Sequence, residues 1–74
     1  MLYRKRLHQH LKTTQGDIII GSGAYIGTGV MILENVEVGE NTIIGALSLV
    51  NRSIPPNSKA YGLPCRVQET LNDN

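Results

Sequence analysis

A six-residue period runs through the middle of this chain and limits what it can become more than any other feature. From Ile20 the sequence divides into IGSGAY, IGTGVM, ILENVE, VGENTI, IGALSL and VNRSIP. The first column holds Ile20, Ile26, Ile32, Val38, Ile44 and Val50, every one branched at Cβ. Such side chains favour extended backbone. The fifth column is Ala24, Val30, Val36, Thr42, Ser48 and Ile54, mostly small or medium. The fourth column is Gly23, Gly29, Asn35, Asn41, Leu47 and Ser53. Gly and Asn tolerate positive φ, so that column marks a turn. An amphipathic helix repeats every 3.6 residues and a two-sided strand every 2, and neither produces a period of six.

Each unit therefore reads as a short strand followed by a tight corner. A chain that turns after every short strand, always burying the same columns, winds into a solenoid. Three units per turn make a triangular coil of 18 residues. The expected class is all-β. Two complete coils run from Ile20 to Glu37 and from Val38 to Pro55, with part of a preceding coil and a closing loop. Residues 18 apart should then stack: Tyr25 on Ile43, Met31 on Leu49, Glu37 on Pro55, and Glu34 with Arg52 as an opposite-charge pair. Apolar residues outside on two faces suggest a partner surface. With rungs about 4.8 Å apart, two coils are short, and both end rungs would be open edges. Stability is expected from assembly or from further coils.

Composition closes off other classes. Seventy-four residues make one small domain. A hydrophobic share of 41% argues against a disordered chain. No run of 18 apolar residues suggests a transmembrane helix. A net charge of +1 gives no global attraction, so neither nucleic acid nor membrane is an expected partner. The basic start is not followed by an apolar stretch of signal-peptide length. Cys65 alone cannot build a disulfide framework, and a cytoplasmic setting fits best. Two histidines cannot supply a three-His metal site within one chain, so no metal is expected. GSGAYIG looks like a dinucleotide fingerprint only superficially, because the corners already explain its glycines. No Ser-His-Asp arrangement is legible, and Cys65 is expected to pack rather than react.

Around the repeat lie two less regular pieces. In MLYRKRLHQHLK, Tyr3, Leu7 and Leu11 are spaced by four, with Arg4, Lys5, Arg6 and Lys12 between them. This reads as a short amphipathic helix or as a solvated basic tail, since so short a segment is marginal alone. The division is a lead-in over 1–15, the coils and closing loop over 16–67, and a polar tail over 68–74, expected to be disordered after a short turn.

The hexads followed by IGALSLVNRSIPPNSKAYGLPCRV resemble the hexapeptide-repeat acyltransferases. GLPCRV is most similar to the galactoside- and maltose-type O-acetyltransferases, and the likeness extends from Gly16 to about Val67. The resemblance implies a left-handed parallel β-helix; ordinary parallel crossovers are right-handed, and nothing in the spacing gives the hand. It also implies a homotrimer, with acetyl-CoA lying in a groove between neighbouring subunits. Acetyl would pass to a hydroxyl of a sugar or similar small acceptor, with a histidine as general base. By position, it implies coenzyme contacts at Thr28, Ala46, Asn51, Arg52 and Arg66, the last near the nucleotide end. Thr28 and Ala46 are 18 apart, so the repeat itself stacks them.

Departures from the family pattern are also visible. Leu47 stands where the family has Gly, at a cost of about 1 kcal/mol or more in a positive-φ corner. Tyr25 replaces Trp, Asn35 replaces a turn Gly, and Glu69 replaces a basic residue. The family's general base would fall near Met1; His8 and His10 are the candidates, against the plain reading of solvated histidines. In the family, further coils and the acceptor site come before this region, so the chain is expected to supply the coenzyme-binding end. The competing reading is a non-catalytic β-helix oligomerisation module, or a remnant of a longer acetyltransferase.

Overall fold

The computed structural model describes the backbone of residues 3–6 and residues 16–71 in full. Every regular element among them is a strand, so the chain is all-β. β1 is Tyr3–Arg6, β2 Asp17–Ile20, β3 Tyr25–Ile26, β4 Met31–Ile32, β5 Val36–Val38, β6 Ile43–Ile44, β7 Leu49–Val50, β8 Ser58–Gly62 and β9 Cys65–Thr70.

The parallel ladders follow the expected register through the first coil. Ile18 lies beside Val36, Tyr25 beside Ile43 and Met31 beside Leu49, each pair three hexads apart and each in a different sheet. The chain thus returns to the same face every third strand. The corners are turned as the fourth column requires. Gly23, Gly29, Asn35, Asn41 and Leu47 all have φ between 57° and 74°. Ser53 is absent from the positive-φ set, and at that residue the period breaks.

The second coil is two residues short. Ile54 bridges to Val38, and Ile43 pairs with Lys59, at separations of 16. Ile54 therefore occupies a first-column place above Val38, and VNRSIP is not a sixth full unit. The expected stack of Glu37 on Pro55 does not form; the Glu37 N–H instead donates to Ser53 Oγ at 2.9 Å. At the equivalent places lower down, the Tyr25 and Met31 N–H groups donate to the backbone carbonyls of Thr42 and Ser48 on the next rung. A hydroxyl stands in where the shortened coil has moved the equivalent carbonyl away. The left-handed corner reappears at Asn57, with φ 55°.

The core is a column of Val36, Val38, Ile44, Val50, Ile54, Ala60 and Cys65, with Ile20, Ala24, Ile26, Val30 and Ile32 packed against it. Two fifth-column hydroxyls are also buried and fully used. Thr42 Oγ1 donates to the Pro55 carbonyl at 2.7 Å and accepts from the Ser58 N–H at 3.2 Å. Ser48 Oγ donates to the Gly45 carbonyl at 2.7 Å and accepts from the Gly62 N–H at 3.1 Å. Both tie the irregular closing segment to the coil beneath it.

Three expectations are corrected here. Tyr3–Arg6 is a strand, not the start of a helix, and runs antiparallel along β2. The edge of β2 offers a row of backbone donors and acceptors, which a strand satisfies and a helix does not. Residues 7–12 of that segment lie outside the described residues. Gln68–Thr70 is not disordered: it belongs to β9, which runs antiparallel to β8, and the Leu71 N–H reaches the Asn57 carbonyl at 2.7 Å. β1 and β9 therefore cover one edge each, so the end rungs are not wholly open. Finally, no ion pair joins Glu34 to Arg52 among the described residues. Arg52 is exposed and Glu34 Oε1 is buried without a hydrogen-bond partner.

Close rung contact makes some glycines irreplaceable. A Cβ on Gly39 would run into the Pro56 backbone, which cannot swing aside as a side chain could. Gly39→Ala should destabilise the fold by about 2 kcal/mol or more, read from urea unfolding. An effect below about 0.5 kcal/mol would contradict the rung spacing described.

Candidate functional site

Two groups of side chains stand out, one on each flank of the β4–β7 face. The first is the corner leading into that face. Gly27 packs so tightly beneath the next rung that a Cβ there would lie 2.6 Å from the Ala46 nitrogen. Thr28 and Ala46 are consequently neighbours on successive rungs, and both are exposed. The Leu47 N–H donates to the Thr28 carbonyl at 2.8 Å, which fixes their register. Leu47 itself is 69% exposed, and its Cδ2 lies 2.7 Å from where a Gly29 Cβ would sit. Its side chain thus lies against the Gly29 corner below.

The second group lies where β9 passes the end of β7. Arg66 Nη1 donates to Asn51 Oδ1 at 3.0 Å and to the Cys65 carbonyl at 2.7 Å. These bonds hold the half-buried guanidinium in place, with donors remaining on its other nitrogens. The sequence named both residues but gave no sign that they touch, because the shortened coil is what sets their approach. Arg52, next in the chain, is exposed and is not drawn into this pair. Glu69, the acidic departure, meets Lys59 at 3.8 Å in an exposed pair of little energetic weight. His8 and His10 lie outside the described residues.

Two overlapping open hollows, of about 380 and 400 Å³, share Glu37, Gly39 and Pro56 along the corner after β5. Neither includes Thr28, Ala46, Asn51, Arg52 or Arg66. Among the described residues no three His, Cys, Asp or Glu side chains cluster, and no helix is long and apolar enough to cross a membrane.

Comparison with known proteins follows the geometry closely. The bacterial transferase hexapeptide (six repeats) family matches residues 17–52, the stretch that forms the regular coils. The chain belongs to the hexapeptide-repeat transferases. It is 48% identical over 56 residues to the galactoside O-acetyltransferase of Escherichia coli K12, covering 76% of this chain and 28% of that protein. It is 41% identical over 71 residues to the galactoside O-acetyltransferase of Lactococcus lactis, covering 96% of this chain and 32% of that one. A maltose O-acetyltransferase structure from Clostridium difficile 630 superposes with TM-score 0.71 at 44% identity, over 73% of this chain and 29% of its own. A galactoside acetyltransferase solved in complex with coenzyme A superposes with TM-score 0.74 at 39% identity, over 95% and 38%. The hexapeptide chain described here thus spans about a third of the length of these relatives.

Cys65 is a core residue in this setting, as expected. It is fully buried, and burial pushes its thiol pKa up; a Ser48 hydrogen bond and the Arg66 charge offset this only in part. A raised folded pKa favours the neutral thiol in the fold. Its contribution to stability is complete below the ordinary thiol pKa of about 8.5 and is lost as pH rises through the folded value. Cys65 should therefore react with a disulfide reagent at least about tenfold faster in denaturant than in the native protein at pH 8. Equal rates would place the thiol at the surface.

Proposed function

We propose that this chain is the coenzyme-binding part of an O-acetyltransferase, taking acetyl from acetyl-CoA for a hydroxyl on a sugar or similar small acceptor. The observation that carries this reading is the Asn51–Arg66 pair. It presents a fixed cation with donors to spare, suited to a phosphate of the coenzyme. Thr28 and Ala46 are the proposed contacts for the pantetheine arm, small and exposed on one corner. Arg52 adds a second positive charge beside Asn51. The relatives' names and the coenzyme complex of the solved galactoside acetyltransferase support the same assignment.

The proposed coil is left-handed and the proposed assembly a homotrimer. Thr28–Ala46 and Asn51–Arg66 flank opposite sides of the β4–β7 face. A threefold arrangement lets one copy's first corner face its neighbour's second, with the coenzyme between them. Met31 and Leu49 on the intervening face supply apolar surface for the contact. Acetyl transfer also needs a base to take the acceptor's hydroxyl proton. His8 and His10 are the chain's histidines for that role.

Leu47 favours a second reading. A strained, exposed leucine on the coenzyme corner narrows the path, which suits a non-catalytic oligomerisation module. Calorimetric titration of coenzyme A separates the two. Under the first reading the assembled protein binds, and Arg66→Ala weakens binding about tenfold. Leu47→Gly should then strengthen it. Under the second, the assembly forms but no heat of binding appears at millimolar ligand, and Leu47→Gly changes only stability.

A further inference from the structure

We infer that Tyr61 is the stacking platform for the purine ring of the coenzyme's nucleotide, an assignment that rests on the coenzyme reading above. The starting point is an inequality among four glycines at equivalent places in the hexads. At Gly21, Gly27 and Gly39 the space a Cβ would fill is taken by backbone of the next rung, at Glu40, Ala46 and Pro56. At Gly45 it is taken by a side chain. Tyr61 Cβ lies 2.8 Å from the Gly45 Cβ position and Tyr61 Cγ 3.6 Å from it. The missing side chain at Gly45 is what admits the root of the Tyr61 ring to this corner.

The root of the ring therefore sits over Gly45, beside the corner of Ala46 and two rungs above that of Thr28. On its other side the ladder places Arg66 opposite Tyr61 across the β8–β9 hairpin. Directly opposed residues in an antiparallel pair project to the same face, with Cβ atoms about 4.5–5.5 Å apart. Along β8, Ser58 and Ala60 turn inward and are buried, while Tyr61 turns outward and remains 47% exposed. A large aromatic surface thus stays in solvent beside the Ala46 corner, on the residue opposed to Arg66. The guanidinium of the opposed Arg66 is held by Asn51.

An exposed ring opposed across the ladder to an arginine whose guanidinium is held matches a planar base joined to phosphate. The ring offers a π-face to the base, and the cation a charge-assisted hydrogen bond to the phosphate. Lys59, two residues along the same outward row, stands beside the opposite charge of Glu69. The hydroxyl of Tyr61 has no part in stacking, so the aromatic ring is the element that matters.

The test titrates the full chain with coenzyme A, with adenosine 3′,5′-bisphosphate, which keeps the purine, and with pantetheine, which lacks it. Sedimentation velocity follows assembly in parallel. Tyr61→Ala and Tyr61→Leu should each weaken coenzyme A and the bisphosphate by at least about tenfold. Pantetheine binding and sedimentation should stay as in the wild type. Tyr61→Phe should restore affinity to within about twofold. The inference is overturned if Tyr61→Ala leaves coenzyme affinity unchanged, if Tyr61→Leu binds as tightly as wild type, or if affinity falls only together with assembly. Wild-type protein that binds none of the three ligands overturns the coenzyme reading itself, and this inference with it.

Discussion

Backbone hydrogen bonds between successive rungs hold this molecule together, and the corners decide whether those bonds align. A core of Ile, Val and Ala, with no Phe or Trp, buries little area per residue. Its contribution is realised only if each rung sits squarely on the one below. That requires each strand to be followed by a turn of fixed size. A left-handed residue at the fourth-column places from Gly23 to Leu47 supplies the turn, and Gly at the second column lets the rungs approach. Leu47 obeys the same requirement without the usual residue. Its φ of 64° shows that the rungs above and below impose the corner even against the side chain's preference.

The consequences of losing one corner are visible at Ser53. Without a left-handed residue the side from Val50 to Ile54 shortens, and backbone donors above it fall out of step with carbonyls below. Three hydroxyls take up the mismatch: Ser53 for the Glu37 N–H, Thr42 for Ser58 and Ser48 for Gly62. Two of these occupy inward places where an aliphatic residue would pack as well. Their polarity is explained by the unpaired N–H groups that would otherwise be buried at the closing segment. The hairpin of β8 and β9 then brings Cys65 into the core.

The regular coils were legible in the sequence because their cause is local and repeated. Six branched residues in one column and turn formers in another fix the period, the buried faces and the register of Tyr25 on Ile43. The two-residue slip was harder to see. Counting by sixes carries Ile54 into the fifth column, although restarting at Ile54 gives IPPNSK, with Asn57 in the turn column. The strand character of Tyr3–Arg6 was hidden for a different reason. Its partner, β2, is distant in the chain, and apolar spacing within the segment favoured the wrong period. The candidate site divides the same way. The stacking of Thr28 and Ala46 follows from the repeat, whereas the Asn51–Arg66 bond depends on how the closing segment folds back.

That division bears on where specificity can arise in such a fold. At the corner of Thr28 and Ala46 the regular coils present small side chains on successive rungs. They make an even track, well suited to an extended arm but unable to single out a particular end group. The cations and the aromatic ring of the proposed site enter where the repeat stops being obeyed. Asn51 and Arg52 fall on the shortened side, and Tyr61 and Arg66 on the hairpin beyond it. Each is large, polar or aromatic, and each occupies a place that the period does not constrain. The broken coil is therefore more than a terminus for the stack. By taking two places out of one turn of the spiral it sets Tyr61 over Gly45, beside the corner of Ala46, with Arg66 across the ladder, an arrangement that an unbroken spiral would not place there.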